Sequence, residues 1–557
     1  MGEESALRVT PLLQHSSQMT GYLALLLHAH LPFVRHPEHE EFLEEDWFFE
    51  AITESYLPLL AMMERLVDGE VPFKLTMTVT PTLSAMLQDQ LLRERYLRYL
   101  DRAIALAERE IVRNRDHERL RTLAEFYHRH FVQGREQFLQ WNGDLLSVFR
   151  RLQKEGCVEF AASAATHGLL PLLQQSPEAV RAQVRIGCDS YRETFQTDPA
   201  GFWLPECAYY PGVENILQEA NLRWFVVDAH GLMFGDPRPR RAIYAPCYTP
   251  AGPAAFGRDR DSSRQVWSAG EGYPGDPAYR EFYRDIGFEL PLEHLWPGSP
   301  SPLRKFTGIK YHRITDRHGE KEFYDPEAAA RVADAHATHF LDARQEQLND
   351  LRALDFDPII VAPFDAELFG HWWFEGPQFL EAFLRKAAHG HQDLRLTSKQ
   401  HYGQSDLQLT TPSEFLVRHP TQQTISPAAS SWGENGHLSV WLDPTNSWIY
   451  PHLYSAADRM TNLARANRAG CGQLTDRALK QLARELLLAQ GSDWPFLIRT
   501  GTAKHYATKR VTEHLLRFNR LHDECVRGNI DEGFLANCEW RDNIFPEIDW
   551  RQYCYPE

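Results

Sequence analysis

Two acids set among aromatic rings carry the chemistry of this chain. Glu206 follows the apolar run in Gly201-Phe-Trp-Leu-Pro-Glu-Cys-Ala-Tyr209. Asp365 does the same in Ile359-Ile-Val-Ala-Pro-Phe-Asp-Ala-Glu-Leu-Phe-Gly-His-Trp-Trp373. Both runs read as buried strands, each delivering one carboxyl to a strand end. Two carboxyls in an aromatic-lined cleft suit glycosidic-bond chemistry, in which one acid attacks carbon and the other protonates the leaving oxygen. The simpler alternatives are a salt-bridged structural acid for Glu206 and a helix N-cap for Asp365.

Further polar residues fall just after other apolar runs. His28 and His30 are two apart, so on a strand they share a face and can bind sugar hydroxyls or a metal. No cysteine or carboxylate spacing of a metal site accompanies them, so hydrogen bonding to sugar is the reading adopted, with no metal and no cofactor. His167, Asp228 and His230 are hydrogen-bonding candidates of the same kind, with a purely structural role as the alternative for the histidines.

The elements that must position these residues are short runs of four to eight mostly apolar residues with helix-length segments between them. They are Tyr22–His28, Lys74–Thr80, Cys157–Ser163, Gly201–Pro205, Trp224–Asp228, Phe306–Tyr311 and Pro358–Pro363. Strands alternating with helices imply an α/β fold with a parallel sheet, and polar residues gathered at the strand ends imply a barrel. Residues 88–151 are charged and helical, which reads as an insertion between two strands. Residues 235–257, rich in Pro, Arg and Gly, read as a long loop at the active site, and Arg258 opens the charged run after it. Beyond residue 426 helical periodicity alone remains, as at Leu479, Leu482, Ala483 and Leu486. Asp493-Trp-Pro-Phe496 reads as a helix cap, with Asp493 also a candidate for the binding set.

Bulk properties narrow the classes. At 557 residues the chain implies more than one domain. A formal charge of -17 argues against a nucleic-acid partner and suits a neutral substrate. Eight cysteines without CxxC spacing read as reduced thiols. No apolar run is long enough to span a membrane, and residues 1–20 read as a polar tail without a signal-peptide core, so the cytoplasm is the default address.

Five motifs in order resemble glycoside hydrolase family 57, and within it the 1,4-α-glucan branching enzymes. They are His28-Ala-His-Leu-Pro32, Glu159–Leu173 with Thr166-His-Gly-Leu-Leu-Pro171, Trp203-Leu-Pro-Glu-Cys207, Phe364-Asp-Ala-Glu-Leu-Phe-Gly-His-Trp-Trp373 and Ser430-Ser-Trp-Gly-Glu-Asn-Gly436. The resemblance runs from about residue 21 to the C-terminus. It implies a (β/α)7 barrel over residues 21–426, a small helical insertion, and an all-helical C-terminal domain over residues 427–557 that contributes to a glucan groove. It also implies a retaining double displacement, with Glu206 as nucleophile and Asp365 as general acid/base.

Hydrolysis and transfer share the first half of that mechanism and differ in whether water or a glucan 6-hydroxyl attacks the glycosyl-enzyme. Trp47, Trp432 and Trp441 fall where branching members carry groove-lining tryptophans, although a core position is the bland alternative for the last two. Trp203, Trp267 and Trp372 complete the aromatic candidates. Branching members usually place a tyrosine at the tip of a loop over the site. Here Arg241 falls at that position in Pro239-Arg-Arg-Ala-Ile-Tyr244, with Tyr244 or Tyr248 as substitutes. The expected activity is therefore α-1,4 cleavage with α-1,6 rejoining on amylose, amylopectin or glycogen. An α-amylase or 4-α-glucanotransferase of the same family is the nearest alternative. A metal-dependent deacetylase or mannosidase and a non-catalytic glucan-binding protein are more distant ones. Oligomeric state stays open.

Overall fold

Alternation along the first strand fixes which residues reach the middle of the molecule. In β1 (Thr20–Ala29), Leu23, Leu25 and Leu27 pack outward against helices, whereas Tyr22, Ala24 and Leu26 join an interior cluster with Trp203, Trp224, Phe256 and Val361. His28 continues the interior set, because side chains two apart share a face.

The computed structural model describes residues 20–268, 270–298, 302–315, 320–351, 356–389 and 406–554. The remaining strands are β2 (Leu75–Val79), β3 (Val158–Ser163), β4 (Gly201–Trp203), β5 (Trp224–Val227), β6 (Cys247–Tyr248), β7 (Ala254–Gly257), β8 (Ile359–Asp365) and β9 (Asp406–Leu409). Seven of them run parallel in the order β7-β5-β4-β3-β2-β1-β8. The antiparallel β6 borders β7, and β9 pairs with the first residues of β1, which β2 leaves free. The sheet curls into a barrel without a full ladder between β7 and β8. At that seam the Asp259 N–H donates to the Val361 carbonyl at 2.7 Å, and the Ile359 N–H donates to the Tyr244 carbonyl at 2.9 Å. Phe415, in the helix Pro412–Arg418, packs against Tyr22 and Phe256 and plugs the amino-terminal end of the strands.

Six of the seven expected strands form. The seventh differs, because Phe306–Tyr311 is buried but irregular. It wraps the Asp285 carboxylate, which accepts from the backbone N–H groups of Thr307 and Gly308, and Gly308 turns the chain at φ +80. The strand in its place, β7, lies inside the stretch expected to be a loop. Its Ala-Ala-Phe-Gly sequence is short and mostly small-sided, a weak strand signal, yet all four residues are buried, between β5 and β6 and against the helix Ala229–Met233.

Four helices, Pro81–Gln88, Gln90–Arg113, Glu118–Gln140 and Leu145–Lys154, fill the stretch between β2 and β3. The C-terminal region is helical from Ile449 onward and leans on the barrel mouth. There the Ser492 N–H donates to the His167 carbonyl, the Thr166 hydroxyl donates to the Leu487 carbonyl, and His36 meets the Tyr506 hydroxyl at 2.8 Å. Among the described residues no helix is long and apolar enough to cross a membrane. The expected tail lies, apart from Thr20, outside the described residues.

Candidate active site

Glu206 owes its position to a turn that the sequence builds immediately after β4. Pro205 opens a single 3-10 turn, and both Glu206 (φ 61) and Cys207 (φ 48) adopt left-handed backbone conformations that non-glycine residues rarely take. Such strain persists only where surroundings enforce it. Here the Trp432 backbone N–H donates to the Glu206 carbonyl at 3.0 Å, and Trp432 Nε1 donates to Glu206 Oε2 at 2.7 Å. The carboxyl is thus turned toward the barrel mouth, with its side chain 20% exposed.

Asp365 ends β8 in register with His28 of β1. It precedes the 3-10 turn Ala366–Leu368, but its side chain makes no capping hydrogen bond, so the carboxyl is available to the cleft. Two residues on, Glu367 Oε1 accepts from the His30 backbone N–H at 3.1 Å and from the Tyr56 hydroxyl at 2.5 Å.

The histidines form a stacked layer beside these acids. His28 Nδ1 meets Thr78 Oγ1 at 3.1 Å and His30 Nδ1 meets Thr80 Oγ1 at 2.9 Å. Residues two apart on and just after β1 thus match residues two apart on and just after β2. His28 Nε2 lies 3.0 Å from His167 Nε2, and His167 Nδ1 lies 2.8 Å from Ser492 Oγ. The His30 ring stacks on His167 at 3.9 Å, its Nε2 lies 3.0 Å from Asp493, and Trp203 stacks on His28. Burial holds His28 and His167 well below the ordinary imidazole range. Burial also works against charge on His30, but the carboxylates of Asp493, Glu206 and Glu367 together outweigh it and raise His30.

On the other flank, Asp228 is a hub. Its carboxylate contacts His230 Nδ1 at 2.8 Å, Arg260 at 3.0 Å and Arg258 at 3.4 Å. Arg258 lies over the Trp432 ring at 5.2 Å, which links this hub to Glu206. A cavity of about 440 Å³ opens here, lined by Asp228, Arg258, Arg260, Trp267 and Asn435 among others. Trp267, 48% exposed, is its aromatic wall.

The electrostatics of the acids follow from this layout. Burial pushes Glu206 up to about 7; the Trp432 hydrogen bond opposes this and the charge of Asp365 adds to it. Burial pushes Asp365 up to about 6, against the pull of Arg258 and His30. Glu367 rises to about 7 through burial and then the charge of Asp365. Interacting acids lose their protons in successive steps, so an intermediate form carries one ionised and one protonated carboxyl. That is the form in which one acid can attack carbon while the other delivers a proton.

Most of the sequence candidates converge on this cleft: His28, His30, His167, Trp203, Asp228, His230, Arg258, Trp432 and Asp493 join the two acids. Ser492 rather than Asp493 caps the helix Asp493–Thr500, leaving the Asp493 carboxylate for His30. Trp47 is half-buried at the seam with the C-terminal helices, where its ring meets Tyr506 edge-on. Trp372 is 51% exposed, and its backbone N–H donates to the Glu367 carbonyl.

Three candidates fall elsewhere. Trp441, expected to line a groove, is 2% exposed beneath Gly433, and a ring without a free face offers no stacking platform. Arg241 and Tyr244, expected over the site, belong to the β7–β8 seam. Arg241 lies over Phe356, and the Tyr244 hydroxyl accepts from Gln347 of the helix Pro326–Asp350. The Tyr244 carbonyl holds the first residue of β8, and Asp365 is the last, roughly 20 Å further on at about 3.3 Å per residue. Loops after strand ends commonly cover the mouth of a barrel; this stretch instead descends to fill the gap in the ladder.

Comparison with known proteins agrees with this architecture. Residues 24–285 match the model of glycosyl hydrolase family 57, and residues 452–553 match that of the 1,4-alpha-glucan branching enzyme C-terminal region. The chain is 37% identical to the 1,4-alpha-glucan branching enzyme TK1436 of Thermococcus kodakarensis, over 95% of this chain and 78% of that protein. Its fold is similar to that of the alpha-amylase AmyC of Thermotoga maritima, with TM-score 0.88 and 42% identity over 97% of this chain and all of that one. It is also similar to a GH57-type branching enzyme of Pyrococcus horikoshii, with TM-score 0.85 and 36% identity over 97% and 98% of the two chains. With a barrel, a paired-acid cleft and relatives matched over nearly its whole length, the chain belongs to glycosyl hydrolase family 57.

Proposed function

We propose that the protein is a 1,4-α-glucan branching enzyme of glycogen metabolism, acting in the cytoplasm on amylose-like or glycogen-like polymer. Glu206 attacks the anomeric carbon of an α-1,4-linked unit while Asp365 protonates the departing oxygen. The C1–O4 bond breaks and a C1–Glu206 ester forms. Asp365, now ionised, takes the proton of an acceptor 6-hydroxyl, whose oxygen displaces Glu206 and forms the α-1,6 bond. The observation that carries the proposal is a buried cleft, walled by Trp203 and Trp432, in which Glu206 ends the turn after β4 and feels the charge of Asp365 at the end of β8. The relatives named as branching enzymes support transfer as the second half-reaction.

Two observations favour a second reading, hydrolysis. The Pro239–Tyr244 stretch does not cover the mouth, and the chain shares 42% identity with a protein named as an α-amylase. Incubation with amylose decides between them, with α-1,6 linkages read by proton NMR beside released reducing ends. New α-1,6 signal with few reducing ends is the expected result. Reducing ends without new branches assign the enzyme to hydrolysis.

A further inference from the structure

An exposed stack of aromatic rings begins just beyond the catalytic strand. The turn Gly370-His371-Trp372 is anchored to the barrel. The Trp372 N–H donates to the Glu367 carbonyl at 3.2 Å, the His371 N–H donates to Ser55 Oγ at 3.1 Å, and His371 Nδ1 lies 2.7 Å from Glu54. Gly370 permits this at φ +115; an added Cβ there would lie 1.7 Å from the Glu54 carbonyl oxygen. On this fixed turn the Trp372 ring stacks on Phe282 at 4.5 Å and 27°. Lys310 Nζ lies 4.3 Å from the Phe282 ring centre, and Phe306 packs beside it at 5.6 Å. Tyr283, 73% exposed, meets Phe282 edge-on, and Phe288, 48% exposed, meets Phe306.

Contiguous apolar rings exposed together on a folded surface mark an interaction site, unlike rings exposed singly. Its chemistry fits a pyranose chain: a sugar ring presents an apolar C–H face that stacks on a flat ring while its hydroxyl rim stays in water. Its position fits as well. Trp372 lies seven residues after Asp365 in the chain, and its backbone is bonded to Glu367 beside that acid. The cavity at Trp267, beside Asp228 and Arg258, offers a second aromatic surface at the cleft. A reaction that joins two glucan chains needs both.

We infer that Trp372, Phe282, Tyr283 and Phe288 form a binding platform for an α-1,4-glucan arm extending from the Asp365 side of the cleft. This rests on the transferase reading for its role in the reaction, but not for its ligand. The test is retardation in gels containing amylose, run on full-length Glu206→Gln protein so that no turnover intervenes, with light scattering on the same samples. Trp372→Ala with Tyr283→Ala is expected to weaken the apparent affinity about tenfold, whereas Trp372→Phe, which keeps the stack, retains most of it.

Equal retardation of the alanine variant and its parent overturns the inference. So does a change of oligomeric state at unchanged retardation, which assigns the patch to a second copy of the chain. A parent that amylose does not retard overturns it whatever the variants do. If the active enzyme makes no α-1,6 bonds while the alanine variant still loses retardation, the platform stands and only the transferase reading falls.

Discussion

Trp432 grips Glu206 twice, through its indole N–H on the carboxylate at 2.7 Å and through its backbone N–H on the carbonyl at 3.0 Å. The first contact stabilises the ionised nucleophile, and the second helps to hold the left-handed turn that aims it. A tryptophan from beyond the barrel strands therefore completes a site whose acid comes from β4.

Trp432→Phe keeps the ring and removes the indole donor. A hydrogen bond to a charged group contributes roughly 1.5–3 kcal/mol, so the rate should fall about 10- to 100-fold. Loss of the donor also raises Glu206 further, which should move the alkaline limb of the kcat/KM profile, set by the higher of the two acids' values, to higher pH. An unshifted limb would show that the indole N–H does not reach the nucleophile in solution.

The shifts of the two acids set a bell-shaped profile. Activity requires one ionised and one protonated carboxyl, and Glu206 and Asp365 are raised to about 7 and about 6. kcat/KM should therefore peak near pH 6–7, falling below as both acids hold protons and above as both lose them. Arg258 lowers Asp365, so Arg258→Met should carry the acid limb, set by the lower of the two values, upward. A flat profile between pH 5 and 8 would contradict the assignment.

The raised nucleophile also predicts a stability gain in a dead variant. A carboxyl whose folded value lies above its unfolded one supports the fold fully at pH below the unfolded value and loses that support as pH rises through the folded value. For Glu206 the window runs from about 4.5 to about 7. Glu206→Gln should thus be more stable than the parent at pH 8, by roughly 1–3 kcal/mol, with little difference at pH 4. Its activity should fall by several orders of magnitude. Thermal unfolding at the two pH values reads the first effect, and equal midpoint shifts at both would refute it.

Tyr244 should be irrelevant to water exclusion, since its carbonyl holds the first residue of β8 and its hydroxyl faces Gln347. Tyr244→Phe keeps the backbone contact and is expected to leave the ratio of new α-1,6 bonds to reducing ends unchanged. A clear rise in reducing ends would place the residue at the mouth after all.

Much of this site was legible in the chain itself. Strand runs rich in apolar residues, each followed by a polar one, located Glu206, Asp365, His28 and His30, because period-2 alternation and burial are local properties of the sequence. The match of His28 and His30 to Thr78 and Thr80 was also available in principle, from two pairs with the same spacing. Other features came only from packing. β7 is four residues, three of them Ala or Gly, that become a strand because β5 and β6 flank them. Phe306–Tyr311 is as apolar as a strand, yet the Asp285 carboxylate and Gly308 bend it away from one. Trp441 and Trp432 look alike in sequence, and only the loop that buries one and turns the other onto Glu206 separates them. Packing likewise put Arg241 and Tyr244 at a seam, where an incomplete ladder between β7 and β8 left backbone groups to satisfy. Residue identity alone settles that this chain carries acids and rings suited to glycosidic bonds, since ionisable and aromatic side chains keep their nature wherever they lie. Their meeting in one cleft depends on contacts between residues far apart in the chain, which no local pattern encodes.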